Sequence, residues 1–86
     1  MCTYLTVKTS VDASVKGPGG AWFRAREAVV YFDHPSHAMA EHTLNIDFPV
    51  PGSANGERIA LELTAQSARD LVAAINASLA SAAALA

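Results

Sequence analysis

Polar and apolar positions alternate along the first two thirds of the chain, as in half-buried strands, because successive side chains on a strand point to opposite faces. Over residues 2–9, Cys2, Tyr4, Thr6 and Lys8 fall on one side and Thr3, Leu5, Val7 and Thr9 on the other. The run Lys16-Gly17-Pro18-Gly19-Gly20 then breaks the chain, since glycine permits positive φ and proline donates no backbone hydrogen bond. Residues 21–33 read as a second strand, long enough that a bulge near Glu27 and Ala28 is expected. His34-Pro35-Ser36-His37 turns the chain, the residue before a proline being biased to extended geometry. Residues 41–48 form a third strand, with Leu44, Ile46 and Phe48 on one face and Thr43, Asn45 and Asp47 on the other. Pro49 and Pro51 end it, and a Gly/Ser/Asn loop follows. A fourth strand over residues 58–63 places Ile59, Leu61 and Leu63 on its apolar side.

The period then changes to that of a helix. Ala68, Leu71, Val72, Ile75 and Leu79 make one apolar stripe, and Thr64 is the candidate N-cap. Four short strands followed by one helix predict an α+β domain spanning residues 1–86: a four-stranded antiparallel meander with the C-terminal helix packed on one face. If Leu5, Val7, Phe32, Leu44, Ile46, Phe48, Ile59, Leu61 and Leu63 meet the helix, the other face carries Cys2, Tyr4, Thr6, Trp22, Arg24, Tyr31, Glu41, Thr43, Asn45, Asp47 and Glu62. Aromatics mixed with carboxylates and amides suggest contact with something other than water. A homodimer interface is the first explanation of that set; a ligand pocket formed at such an interface is the sharper one, and the two are compatible.

Composition narrows the class. Hydrophobic residues make up 51% of the chain and charged residues 16%, which is too apolar for a disordered chain. So apolar a domain of only 86 residues leaves apolar surface for a subunit interface, making a second copy of the chain the expected partner. Six Lys and Arg against eight Asp and Glu give a net charge of −2, without the basic stripe of a nucleic-acid binder. The single cysteine makes no internal disulfide. No signal peptide is recognisable, and the Ala-rich tail is too short for a bilayer span of ~20 residues. A cytoplasmic location off the membrane is therefore expected.

All three histidines lie in the run His34-Pro35-Ser36-His37-Ala38-Met39-Ala40-Glu41-His42. Imidazole is both the usual metal ligand and the side chain that titrates near neutral pH. The spacing is neither that of a zinc protease nor that of a zinc finger. Three readings follow. His34 and His42 can cap turns, with His37 exposed. His34, His37 and His42 can hold zinc or another divalent transition metal, with Cys2 or Glu41 added if the first strand runs beside the turn. Or the cluster can do acid–base chemistry without a cofactor, with His37 and Glu41 as the acid–base pair and His34 or His42 orienting. In that last reading Trp22 and Tyr31 form an apolar wall, Arg24 holds a substrate anion, and Tyr4 and Asn45 complete the binding surface. The plainer expectation for Arg24 is an ion pair with an acid of a neighbouring strand, Glu41 or Glu62. Gly17-Pro18-Gly19-Gly20 lacks the ending of a phosphate loop and reads as a hairpin.

The opening Met1-Cys2-Thr3-Tyr4, the segment Tyr31-Phe32-Asp33-His34-Pro35 with His37, and Glu41-His42-Thr43-Leu44-Asn45-Ile46-Asp47-Phe48 resemble a family of short bacterial proteins, common in actinobacteria, known as a domain of unknown function. The resemblance covers nearly the whole chain and implies no catalytic residue or cofactor. Members of such families sit in natural-product gene clusters, so it implies a tailoring role on a small molecule. The leading expectation is a homo-oligomeric enzyme carrying out isomerisation, cyclisation or imine-type condensation on a small organic molecule. The alternatives are a histidine-cluster metal protein and a non-catalytic interaction module.

Overall fold

The structure, a computed structural model, describes residues 5–34 and 41–83. Strands β1 (Thr6–Lys16), β2 (Trp22–Asp33), β3 (Thr43–Pro49) and β4 (Arg58–Leu63) form one antiparallel sheet in the order β1-β2-β3-β4, followed by helix α1 (Ala65–Ala82). This is the α+β meander that the alternation predicts. The strand over residues 58–63 has the expected bounds, and Thr64 caps α1, its Oγ1 accepting from the backbone N–H of Ser67 at 3.1 Å.

Three elements differ from expectation. The third strand begins at Thr43, not at residue 41, and takes in Pro49. The first strand continues through Lys16, well past Thr9, while residues 1–4, with Cys2 and Tyr4, lie outside the described residues. The bulge falls on β1, not β2. Ser10 stands opposite Glu27 and Ala13 opposite Ala25, so β1 takes three steps where β2 takes two. An extra residue turns the strand's alternation over relative to its partner. Because β2 itself runs unbroken, Trp22 and Arg24 share the side of Val30 and Phe32, and not that of Tyr31 as a β2 bulge would have given.

Registers across the sheet sort its two faces. One carries the rows Val7-Val30-Ile46-Leu61 and Phe32-Leu44-Leu63; the other carries Thr6-Tyr31-Asn45-Glu62, and Lys8-Val29-Asp47-Ala60. Among the described residues, α1 lies against β3 and β4 alone, and Ala68 is its one buried residue. The hydrophobic residues buried within the described chain are Ala25, Ala28 and Ala68. Leu71, Val72, Ile75 and Leu79 stay exposed, as do Val7 and Leu61. The radius of gyration is 14.6 Å, whereas a compact chain of this length has about 12 Å. The apolar stripe of α1 is thus built but mostly exposed, and among the described residues it packs on β3 and β4 alone.

Candidate functional site

The connection from β2 to β3 brings two histidines together. His34 follows the last residue of β2 and His42 precedes the first of β3. Their rings lie 4.5 Å apart, centroid to centroid, tilted by 33°. His42 stacks on Phe32, with centroids 5.9 Å apart and planes 11° from parallel. This stack places the pair at the end of the apolar face, beside the row of Phe32, Leu44 and Leu63. His34 Nδ1 lies 3.2 Å from the carbonyl oxygen of Glu41. A carbonyl only accepts, so Nδ1 carries the hydrogen, and in the neutral ring Nε2 keeps its lone pair. The backbone N–H of His34 donates to Asp33 Oδ1 at 2.7 Å, which fixes the other side of the residue.

Of the residues singled out in the sequence, His37 lies outside the described residues, as do Cys2 and Tyr4. Glu41 meets His34 through its main chain. Among the described residues no group of three His, Cys, Asp or Glu side chains is placed to hold a metal ion. Arg24 pairs with Asp12 of β1, not with Glu41 or Glu62; β4, which carries Glu62, is not adjacent to β2. Both partners of that pair are well exposed, where an ion pair contributes little.

The polar face holds a second constellation. Tyr31 donates its hydroxyl hydrogen to Asp47 Oδ2 at 3.0 Å, and Arg58 forms an ion pair with the same oxygen, its Nε 3.2 Å away. Burial, then the bond to Asp47 and its negative charge, push the Tyr31 hydroxyl above its ordinary value of 10.0. Thr43 Oγ1 donates to Asn45 Oδ1 at 2.7 Å; Thr43 is 0% exposed and Asn45 5%. These two side chains satisfy each other where water does not reach. Asp47 and Arg58 were not among the candidate binding residues. What joins them is the β3–β4 register, with Arg58 opposite Pro49 and Asp47 opposite Ala60, and alternation within a strand carries no signal of it.

The histidine pair and the Tyr31-Asp47-Arg58 group therefore belong to opposite faces of the sheet. Among the described residues no helix is long and apolar enough to cross a membrane. No curated protein and no solved structure matches the chain. The model of a family of unknown function, DUF6295, matches residues 1–86, and the chain belongs to that family.

Proposed function

We propose that the protein is a cytoplasmic, homo-oligomeric, cofactor-independent enzyme that moves a proton within a small organic molecule, with His34 as the base. The observation that carries the reading is the bond from His34 Nδ1 to the Glu41 carbonyl. It fixes the tautomer and orientation of the ring and leaves Nε2 as a lone-pair base, as the orienting partner of a catalytic histidine does. Once protonated, the His34 ring can return the proton at another atom of the substrate, with His42 stacked beside it. The sum is an isomerisation: Nε2 takes a proton from an acidic C–H, and the proton is delivered elsewhere on the same molecule without oxidation. His37, three residues after His34, joins the reading by its sequence position alone. A tailoring step on a natural product fits such chemistry.

Self-association is part of the proposal. A second copy laid on the open stripe of α1 supplies the cover that one chain lacks, and walls the apolar side of the histidine pair. Ligand sites commonly form at such joints.

The test is deuterium exchange from a panel of small enolisable ketones and aldehydes in heavy water, followed by NMR. Wild-type protein is expected to exchange at least one of them faster than free imidazole does, and His34→Gln to lose that excess. Equal exchange by the two proteins removes His34 as the base. Native mass spectrometry on untagged protein separates the metal reading: a stoichiometric divalent metal lost in His34→Gln makes the ring a ligand, since a metal-bound histidine also donates its other N–H to a carbonyl.

A further inference from the structure

At the far end of the sheet from the histidines, the β1–β2 turn and the β3–β4 loop enclose an open cleft of about 570 Å³, walled by Pro18, Trp22, Phe23, Val50 and Ile59, with Arg58 among its lining residues. The size is that of a small-molecule site, mostly apolar with few polar groups. Trp22 begins β2 and His34 follows its end, so cleft and histidine pair stand at opposite ends of one strand.

We propose that this cleft binds a small organic acid, an aryl or branched alkyl carboxylate, with Arg58 as the anion anchor. Asp47 holds the Arg58 guanidinium at Nε, and Asp47 is itself fixed by the Tyr31 hydroxyl. The ion pair with Asp47 is made at Nε, and the two parallel N–H groups on the terminal guanidinium nitrogens match the two oxygens of a carboxylate. Asp47 thus orients the anchor and does not consume it. Trp22 and Phe23, both lining residues, give the cleft the aromatic character that suits the apolar part of the ligand. Glu57 also lines the cleft, and Ser53 engages it, its Oγ accepting from the Glu57 backbone N–H at 3.0 Å. Its charge disfavours a second anionic group on the ligand, so a monocarboxylate is the fit.

Trp22 is the one tryptophan of the chain, so intrinsic fluorescence reads the cleft directly. Titration with phenylacetate is expected to give a saturable change, and phenylacetamide, which keeps the ring and loses the charge, to bind about tenfold more weakly or worse. Arg58→Gln is expected to bring the acid down to the level of the amide, with Arg58→Lys between the two. Circular dichroism of each variant checks that the sheet is intact; if Arg58→Gln does not fold, Arg58→Lys and the acid–amide comparison on wild type decide. Equal affinity for acid and amide, no saturable response, or an unchanged Arg58→Gln would each overturn the proposal. So would a fluorescence change that follows protein concentration and not ligand, since the cleft would then be filled by a second copy.

Discussion

Tyr31 and Asp47 are diagonal neighbours on adjacent strands: Tyr31 stands opposite Asn45 and Asp47 opposite Val29, yet the Tyr31 hydroxyl reaches Asp47 Oδ2 at 3.0 Å. Diagonal positions are within reach only of long side chains, and the pairing links β2 to β3 beyond the backbone ladder. Because Arg58 on β4 pairs with the same oxygen, three strands meet at one carboxylate.

That meeting point has a pH signature. The folded protein holds the Tyr31 proton more tightly than the unfolded chain, because burial and Asp47 both disfavour the phenolate. The associated stability is fully present below the unfolded value near 10 and is lost as pH rises through the folded-state value. Asp47→Asn is expected to lower the Tyr31 value without restoring it to 10.0, since burial is the larger cause. Ultraviolet titration of tyrosinate in a Tyr4→Phe background isolates Tyr31; an unmoved titration curve in Asp47→Asn refutes the account.

The faces of the sheet were legible because period two is a local property. Leu44, Ile46 and Phe48 fell opposite Asn45 and Asp47 whatever strand lay beside them. Which strand carries the bulge was not, because an extra residue is defined only against a partner: the irregularity falls at the level of Glu27, but the doubling of Val11 and Asp12 opposite Arg26 appears once the β1–β2 register is known. The histidine run was visible, but its organising contact is a main-chain carbonyl, that of Glu41, which no side-chain pattern reveals. The Asp47–Arg58 pair depends on how far β4 slides along β3, a quantity set by the loop between them.

The β1–β2 turn separates backbone strain from packing. Gly20 has φ of 84°, and a Cβ there would meet nothing closer than Lys16 Cε at 3.9 Å. Gly20→Ala is therefore expected to cost about 1–2 kcal/mol through φ alone. Gly19 has no positive φ and open space around it, so Gly19→Ala is expected to be neutral or slightly stabilising. Urea denaturation of both variants checks this, and equal losses would place the cost in contacts instead.

The buried Thr43–Asn45 bond makes a sharper contrast. Thr43→Val keeps the shape and removes the hydroxyl, leaving Asn45 Oδ1 without its 2.7 Å donor in a place water does not reach. A buried acceptor left unsatisfied costs about 1–3 kcal/mol. Thr43→Ser keeps the donor and is expected to lose less, although it deletes a methyl. Thermal melts that rank Thr43→Ser below Thr43→Val would sink this view of the pair.

Self-association is where exposure in one chain decides the outcome. Ile75 is 50% exposed and Leu79 64% exposed on α1, so in an isolated monomer a glutamate at either place costs a few tenths of a kcal/mol. If a second copy covers the stripe, each side chain is buried on assembly, where a fully buried Ile or Leu contributes about 1.5–3 kcal/mol. A charge put in its place is then left desolvated. Ile75→Glu and Leu79→Glu are expected to turn an oligomer into a monomer in sedimentation equilibrium. They are also expected to abolish the dependence of the melting temperature on protein concentration, which mass action requires of an assembling chain. Val72→Glu, on the same stripe, is expected to behave alike, whereas Asn76→Glu, a polar position on the same helix, is expected to leave assembly unchanged. A wild-type protein that sediments as a monomer at all concentrations, and melts like the three glutamate variants, would show that the apolar stripe faces water and that the open side of the sheet has no second copy to close it.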